Sequence, residues 1–143
     1  KKKSGKVVIV SSLAGIVPIP FMSSYSATKA SLITFATALR REVKMLGIDI
    51  SIKLVEPGIY WTGFNEVMID NQEKYLKEQA YFSSFYPEIR KKQRAFFQFF
   101  GKKSLASIEK KMVSASLSHS NKFIYRTPIL QVLGAKLYLC LFK

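Results

Sequence analysis

Residues 6–12, Lys6-Val7-Val8-Ile9-Val10-Ser11-Ser12, decide how the rest of the chain is organised. The β-branched run is entered by Gly5 and closed by the two serines, and an unbroken run of this kind suits a parallel strand covered on both faces. Gly15, Pro18 and Pro20 predict a loop over residues 13–23. Residues 24–46 contain no proline or glycine, and Ala30, Ile33, Ala36 (or Thr37) and the apolar members of 39–43 recur at helical spacing. A long helix is predicted there, stopped by Gly47. Ile48, Ile50, Ile52 and Leu54 then alternate with Asp49, Ser51 and Lys53, the period of a strand with one wetter face than the first strand has. Pro57-Gly58 ends it.

Strand, helix and strand in this order make a βαβ crossover with parallel strands. Ligands of open parallel sheets lie outside the carboxyl ends of the strands. Those ends are Ser11-Ser12 and Pro57-Gly58, and the intervening helix begins at Tyr25-Ser26-Ala27-Thr28-Lys29. Tyrosine and lysine at i and i+4 share one helix face. An ammonium beside a phenol favours the phenolate, which suits the pair to exchange a proton with a hydroxyl or carbonyl oxygen. Alone, such a pair is more often a packed tyrosine and a solvated lysine. Three polar features on one rim tip the reading toward chemistry.

Composition bounds the alternatives. A chain of 143 residues with 48% hydrophobic content is at most one globular domain, with a core of its own. No stretch holds the roughly eighteen apolar residues of a spanning helix, and the opening lysines lead into no signal-peptide pattern. Cys140 is the one cysteine, which excludes an internal disulfide and fits a reducing, cytoplasmic setting. The net charge of +14 admits nucleic acid, an acidic membrane surface or an anionic ligand. Basic residues cluster at 1–3, 90–94 and Lys110-Lys111, without a nucleic-acid module, zinc spacing or P-loop. Specific nucleic-acid binding and a metal site are therefore not expected, while peripheral membrane contact stays open. The chain starts with Lys and enters a strand almost at once, which points to a fragment or processed product. His119 reads as a surface residue.

Residues 65–103 mix Tyr75, Tyr81, Phe82, Phe85, Tyr86, Phe96, Phe97, Phe99 and Phe100 with lysine and arginine. A helical lid, a partner groove or an ordinary amphipathic helix pair would each look like this. Ser104 is placed to cap a helix reaching Leu117, with Leu105, Ile108, Met112 and Ala115 along one stripe. A short strand is predicted at 123–125. After Pro128, Ile129, Leu130, Leu133, Leu137 and Leu141 line a helix face that would rest on the protein by default, or on a membrane.

The strand with Leu13-Ala14-Gly15, the Tyr25-to-Lys29 segment, and Val55-Glu56-Pro57-Gly58 with Thr62 resemble the second half of the short-chain dehydrogenase/reductase family. The serine thirteen positions before the tyrosine matches the family spacing and selects Ser12 over Ser11. The resemblance covers residues 5–62. Residues 120–136 are loosely similar to the tail of members acting on retinoids, steroids and other lipophilic alcohols.

This resemblance implies an α/β fold, a doubly wound parallel sheet of Rossmann type. The chain would be one incomplete domain over 1–143: a catalytic unit at 1–64, a helical lid at 65–118 and a tail at 119–143. It implies an NAD(P)-dependent oxidoreductase acting on an alcohol or carbonyl. Tyr25 would be the general acid/base, Lys29 would hold the nicotinamide ribose, and Ser12 would bind the substrate oxygen. Pro57, Gly58, Ile59 and Thr62 would cradle the nicotinamide carboxamide. A homodimer or tetramer is implied for the intact protein.

The family's glycine-rich T-G-x-x-x-G-x-G turn, its N-N-A-G segment, the residue choosing between NAD and NADP, and its catalytic asparagine have no counterpart here. The 143 residues alone are therefore expected to be inactive or nearly so, with a flat apolar edge on the first strand. A second reading is a non-catalytic basic product that binds a partner, a membrane or nucleic acid.

Overall fold

The computed structural model describes residues 4–78 and 83–142. Residues 1–3 and the aromatic residues Tyr81 and Phe82 lie outside the described residues, as does the side chain of Tyr75. The elements are β1 (Ser4–Val10), a 3-10 turn (Leu13–Gly15), α1 (Ser23–Met45), β2 (Asp49–Pro57), α2 (Phe64–Glu78), a second 3-10 turn (Ser83–Phe85), α3 (Tyr86–Phe100), α4 (Ala106–Leu117), β3 (Ile124–Thr127) and α5 (Ile129–Phe142). The chain forms two compact units, residues 1–58 with 106–143, and residues 59–105.

In the first unit three parallel strands run in the order β1-β2-β3. The expected strand–helix–strand is present, with its helix starting and ending within a residue of the sequence reading. Gly47 at φ +63° closes α1: its N–H bonds to Lys44 O and that of Ile48 reaches back to Val43 O. This paired closure needs a left-handed residue, and glycine adopts that conformation without steric cost.

The wetter strand is the opposite of the one the alternation suggests. β1 pairs with β2 alone among the described residues and leaves Val7 and Val10 exposed. β2 is central, and Ile52 and Leu54 are as buried as Lys53 and Val55 on the alternate positions. Lys53 is 1% exposed. Its ammonium donates to the carbonyl of Ser120 and to that of Lys122 at 3.0 Å, so the charge is solvated by backbone instead of water. Val8 and Val55 with Tyr125 share the face that α4 covers through Ile108, Met112 and Ala115. Helix α4 itself begins at Ala106, two residues beyond Ser104. Lys6 Nζ donates to Ser116 O and Ser118 O at 2.7 and 2.8 Å, placing a cation where α4 leaves its last carbonyls free.

The C-terminal helix overturns the default expectation of burial. Val132 of α5 is buried, but Ile129, Leu130, Leu133, Leu137 and Leu141 stay exposed, Leu130 by 79%. The helix is apolar on nearly every side, and among the described residues it packs chiefly on the side toward β3.

The second unit is chiefly the helix pair α2 and α3. Ile69, Tyr86, Ile89 and Phe97 are buried, while Phe85, Phe99 and Phe100 are exposed. Arg90 pairs with Asp70 at 3.2 Å, Arg94 with Glu66 at 3.1 Å, and Gln93 donates to Gln72 at 2.8 Å. These contacts are those of an amphipathic helix pair, with Arg90 and Arg94 of α3 facing Glu66 and Asp70 of α2.

Candidate active site

At the carboxyl edge of the first unit's sheet, backbone bonds continue past the strands. Ser11 N donates to Val55 O at 2.9 Å, and Gly58 N to Thr127 O at 2.7 Å. The rim is thus an extension of the ladder. Ser12 is buried there and caps the 3-10 turn, its Oγ accepting from Ala14 N at 3.1 Å and donating to Pro57 O at 3.3 Å. This hydroxyl adds a side-chain link between the ends of β1 and β2, beside the backbone bond from Ser11.

Helix α1 meets the rim at its second turn. Lys29 Nζ lies 5.6 Å from the centre of the Tyr25 ring and 3.4 Å from Val10 O, to which it donates. Both side chains are half-buried. Ser11 Oγ donates to the main-chain carbonyl of Lys29 at 2.6 Å. Gly15 completes the contact: a Cβ there would lie 2.7 Å from Lys29 C and 2.9 Å from Ala30 N, so only glycine lets the 3-10 turn approach α1 this closely. Ser26, buried on the same helix, accepts from Ile19 N at 3.3 Å.

Ser12, Tyr25, Lys29, Pro57 and Gly58 all belong to the first unit. Ile59 and Thr62 belong to the second, where Ile59 O accepts from Lys102 N at 3.0 Å and Thr62 is exposed. Sequence reading set Ser11 aside for Ser12, yet Ser11 is the residue that holds the helix. The doublet was visible; which hydroxyl faces the helix depends on the direction in which the chain leaves β1. Glu56 belongs to the Val55-Glu56-Pro57-Gly58 motif without a role of its own in the sequence reading. It is completely buried and hydrogen-bonded to Arg126 of β3, next to the Pro57-Gly58 turn. Burial pushes its carboxyl above the ordinary range, against the opposing pull of Arg126. A charged residue inside an apolar strand was the available signal. Among the described residues no cluster of side chains could hold a metal ion.

Parallel strands joined through a helix whose tyrosine–lysine turn lies at their carboxyl edge form a Rossmann-like arrangement. The family model described as short chain dehydrogenase matches residues 1–73, half of the chain. The chain belongs to the short-chain dehydrogenase family. It is similar over 99% of its length, at 29% identity, to the probable short-chain type dehydrogenase/reductase VdlC of Helicobacter pylori. Over 41% of the chain it is 48% identical to the hydroxysteroid 11-beta-dehydrogenase 1-like protein of Gallus gallus, and over 51% it is 33% identical to the 3-oxoacyl-[acyl-carrier-protein] reductase FabG of Haemophilus influenzae. Among solved structures, a short chain dehydrogenase/reductase from Burkholderia phymatum in complex with NAD shares the fold, with a TM-score of 0.72 at 17% identity over 95% of this chain. The chain spans 53% of the Helicobacter protein, 47% of the Burkholderia chain, and 21% and 29% of the other two.

Proposed function

We propose that this rim is the proton-transfer part of an NAD- or NADP-dependent oxidoreductase site that interconverts an alcohol and a carbonyl compound. The observation that carries the reading is the Lys29 ammonium 5.6 Å from the Tyr25 ring, on a helix tethered to the strand end that bears Ser12. Relatives named for hydroxysteroids and 3-oxoacyl groups support an alcohol/carbonyl substrate class and favour a lipophilic one.

The residues present fit the nicotinamide-riboside end of such a cofactor. Lys29 Nζ gives one donor to Val10 O and has others for ribose hydroxyls. The pyrophosphate end finds no glycine-rich turn in this chain. When bound, a nicotinamide supplies or accepts the hydride. In carbonyl reduction the Tyr25 hydroxyl proton moves to the substrate oxygen, and the Lys29 ammonium stabilises the phenolate left behind. Oxidation of an alcohol runs the same transfer backwards. Ser12 Oγ, now donating to Pro57 O, turns its proton toward the substrate oxygen and stabilises charge developing there. Of the residues the resemblance assigns to the carboxamide, Pro57 and Gly58 lie on this rim and would hold it through their backbone.

Nicotinamide mononucleotide, which lacks the pyrophosphate, tests the binding half of this reading on the 143-residue chain. Its addition should perturb the NMR signals of Tyr25 and Lys29, and Lys29→Ala should remove the effect. Perturbations confined to other residues would overturn the assignment. Where the chain is part of an active enzyme, Tyr25→Phe should lower turnover by at least about a hundredfold while sparing cofactor binding.

A further inference from the structure

The opposite end of the same sheet, where the strands begin, carries a different chemistry. Arg40, Arg41 and Lys44 lie on one face of the last turns of α1, all exposed. Arg40 is fixed in place: its guanidinium donates to Asn121 O at 3.2 Å and lies 4.7 Å from the centre of the Phe123 ring. Two open clefts meet at these residues. One, of about 270 Å³, is lined by Thr37, Arg40, Arg41, Lys44 and Phe123. The other, of about 510 Å³, runs past Arg40, Lys44 and Ile48 along the start of β2, with Asp49 its one acidic lining residue. Among the described residues no carboxylate forms an ion pair with Arg40, Arg41 or Lys44.

Apolar side chains stand beside these cations. Met45 is 85% exposed, Leu46 72%, and Ile48 42%. Met45 follows Arg41 by one helical turn, so cation and apolar side chain are surface neighbours. The unit that carries this end has fifteen lysine and arginine residues against four acidic ones, a net charge of +11.

We propose that the end of the first unit formed by Arg40, Arg41, Lys44, Met45, Leu46 and Ile48 docks on the surface of an anionic lipid bilayer. Two features favour lipid over nucleic acid. Aliphatic side chains at this exposure neither stack on bases nor hydrogen-bond their edges, whereas they insert among acyl chains just below a headgroup layer. The clefts also have the size for single phosphate-bearing headgroups, with cations at their rims. The first unit would sit with the beginnings of its strands toward the bilayer and the rim of Ser12 and Tyr25 toward water. That orientation follows from the parallel sheet, which separates the two ends by the full length of its strands.

The test is co-sedimentation of the 143-residue chain with phosphatidylcholine vesicles, with and without phosphatidylserine. Binding should require phosphatidylserine and fall steeply with salt. Arg41→Gln/Lys44→Gln should weaken it about thirtyfold, at roughly a tenfold change per 1.4 kcal/mol and one such step or slightly less for each cation at the surface. Met45→Ser/Leu46→Ser should weaken it several-fold at unchanged charge. Lys110→Gln/Lys111→Gln, which removes equal charge from α4, should have a much smaller effect. Circular dichroism and thermal melts of each variant must match the parent; both α1 pairs and Lys110 are exposed, and Lys111 is partly exposed. Equal losses in the α1 and α4 charge pairs would overturn the proposal, since net charge alone would then explain binding. Binding indifferent to phosphatidylserine would overturn it too. So would salt-sensitive binding to duplex DNA that ignores Met45 and Leu46 and exceeds binding to vesicles.

Discussion

Ser11 Oγ and the main-chain carbonyl of Lys29 are joined by a 2.6 Å hydrogen bond across eighteen positions of sequence. The bond ties the end of β1 to α1 at the residue whose side chain lies beside Tyr25. It gives Ser11 a positioning role with a measurable consequence. Ser11→Ala should cost about 1 kcal/mol in urea unfolding, because Lys29 O keeps its helical partner and only one buried hydroxyl bond is lost. The NMR signals of Tyr25 and Lys29 should shift in the same variant, while those of α4 should not.

Gly15 bears on the same contact from the turn. Gly15→Ala places a methyl against the backbone of Lys29 and Ala30, which cannot rotate aside as a side chain would. A loss of about 1–3 kcal/mol is expected, typical of overpacking. Gly5→Ala is the control, since a Cβ there meets nothing within 4 Å. It should be neutral or stabilising by roughly half a kcal/mol. Thermal melts of the two variants should therefore move apart.

The Glu56–Arg126 pair gives a third outcome. Glu56 is fully buried and Arg126 keeps 33% of its side chain exposed. Arg126→Met strands the carboxylate and should cost about 3 kcal/mol, the lower end for a broken buried pair, since water still reaches the arginine side. Glu56→Gln/Arg126→Met should recover most of that loss, because no charge then remains without a partner.

The same carboxyl sets a pH dependence. Its folded-state pKa is raised above 4.5 by burial, so the native state holds the proton more tightly than the unfolded chain does. The resulting stabilisation is fully present below 4.5 and is lost as pH rises through the raised value. Glu56→Gln should remove this slope from urea midpoints measured across the acid range. An unchanged slope would assign it to other groups.

The strand–helix–strand at residues 4–57 was legible because each element is announced by neighbours in sequence: a β-branched run, helical spacing without breakers, a glycine free to adopt positive φ. The pairing of Tyr25 with Lys29 was legible for the same reason, since i and i+4 meet on any helix. The placement of Ser12 at the strand end also followed from local pattern. Only its hydrogen bond to Pro57 O required the neighbouring strand.

Other features belong to the tertiary structure alone. Lys53 reads as a solvent-facing residue, yet it is buried because the distant segment around Ser120 and Lys122 supplies carbonyls to its ammonium. Which strand is central depends on β3, some seventy residues beyond β2, and that order left β1 as the wetter strand. The apolar face of α5 could be recognised in sequence, but whether anything covers it is decided by packing, and no described residue buries it. Local periodicity determined the elements and the tyrosine–lysine pair, because those depend on backbone geometry over a few residues. Burial, sheet order and the clamp of Ser11 and Gly15 on α1 were decided by contacts between segments far apart in the chain, which no local pattern encodes.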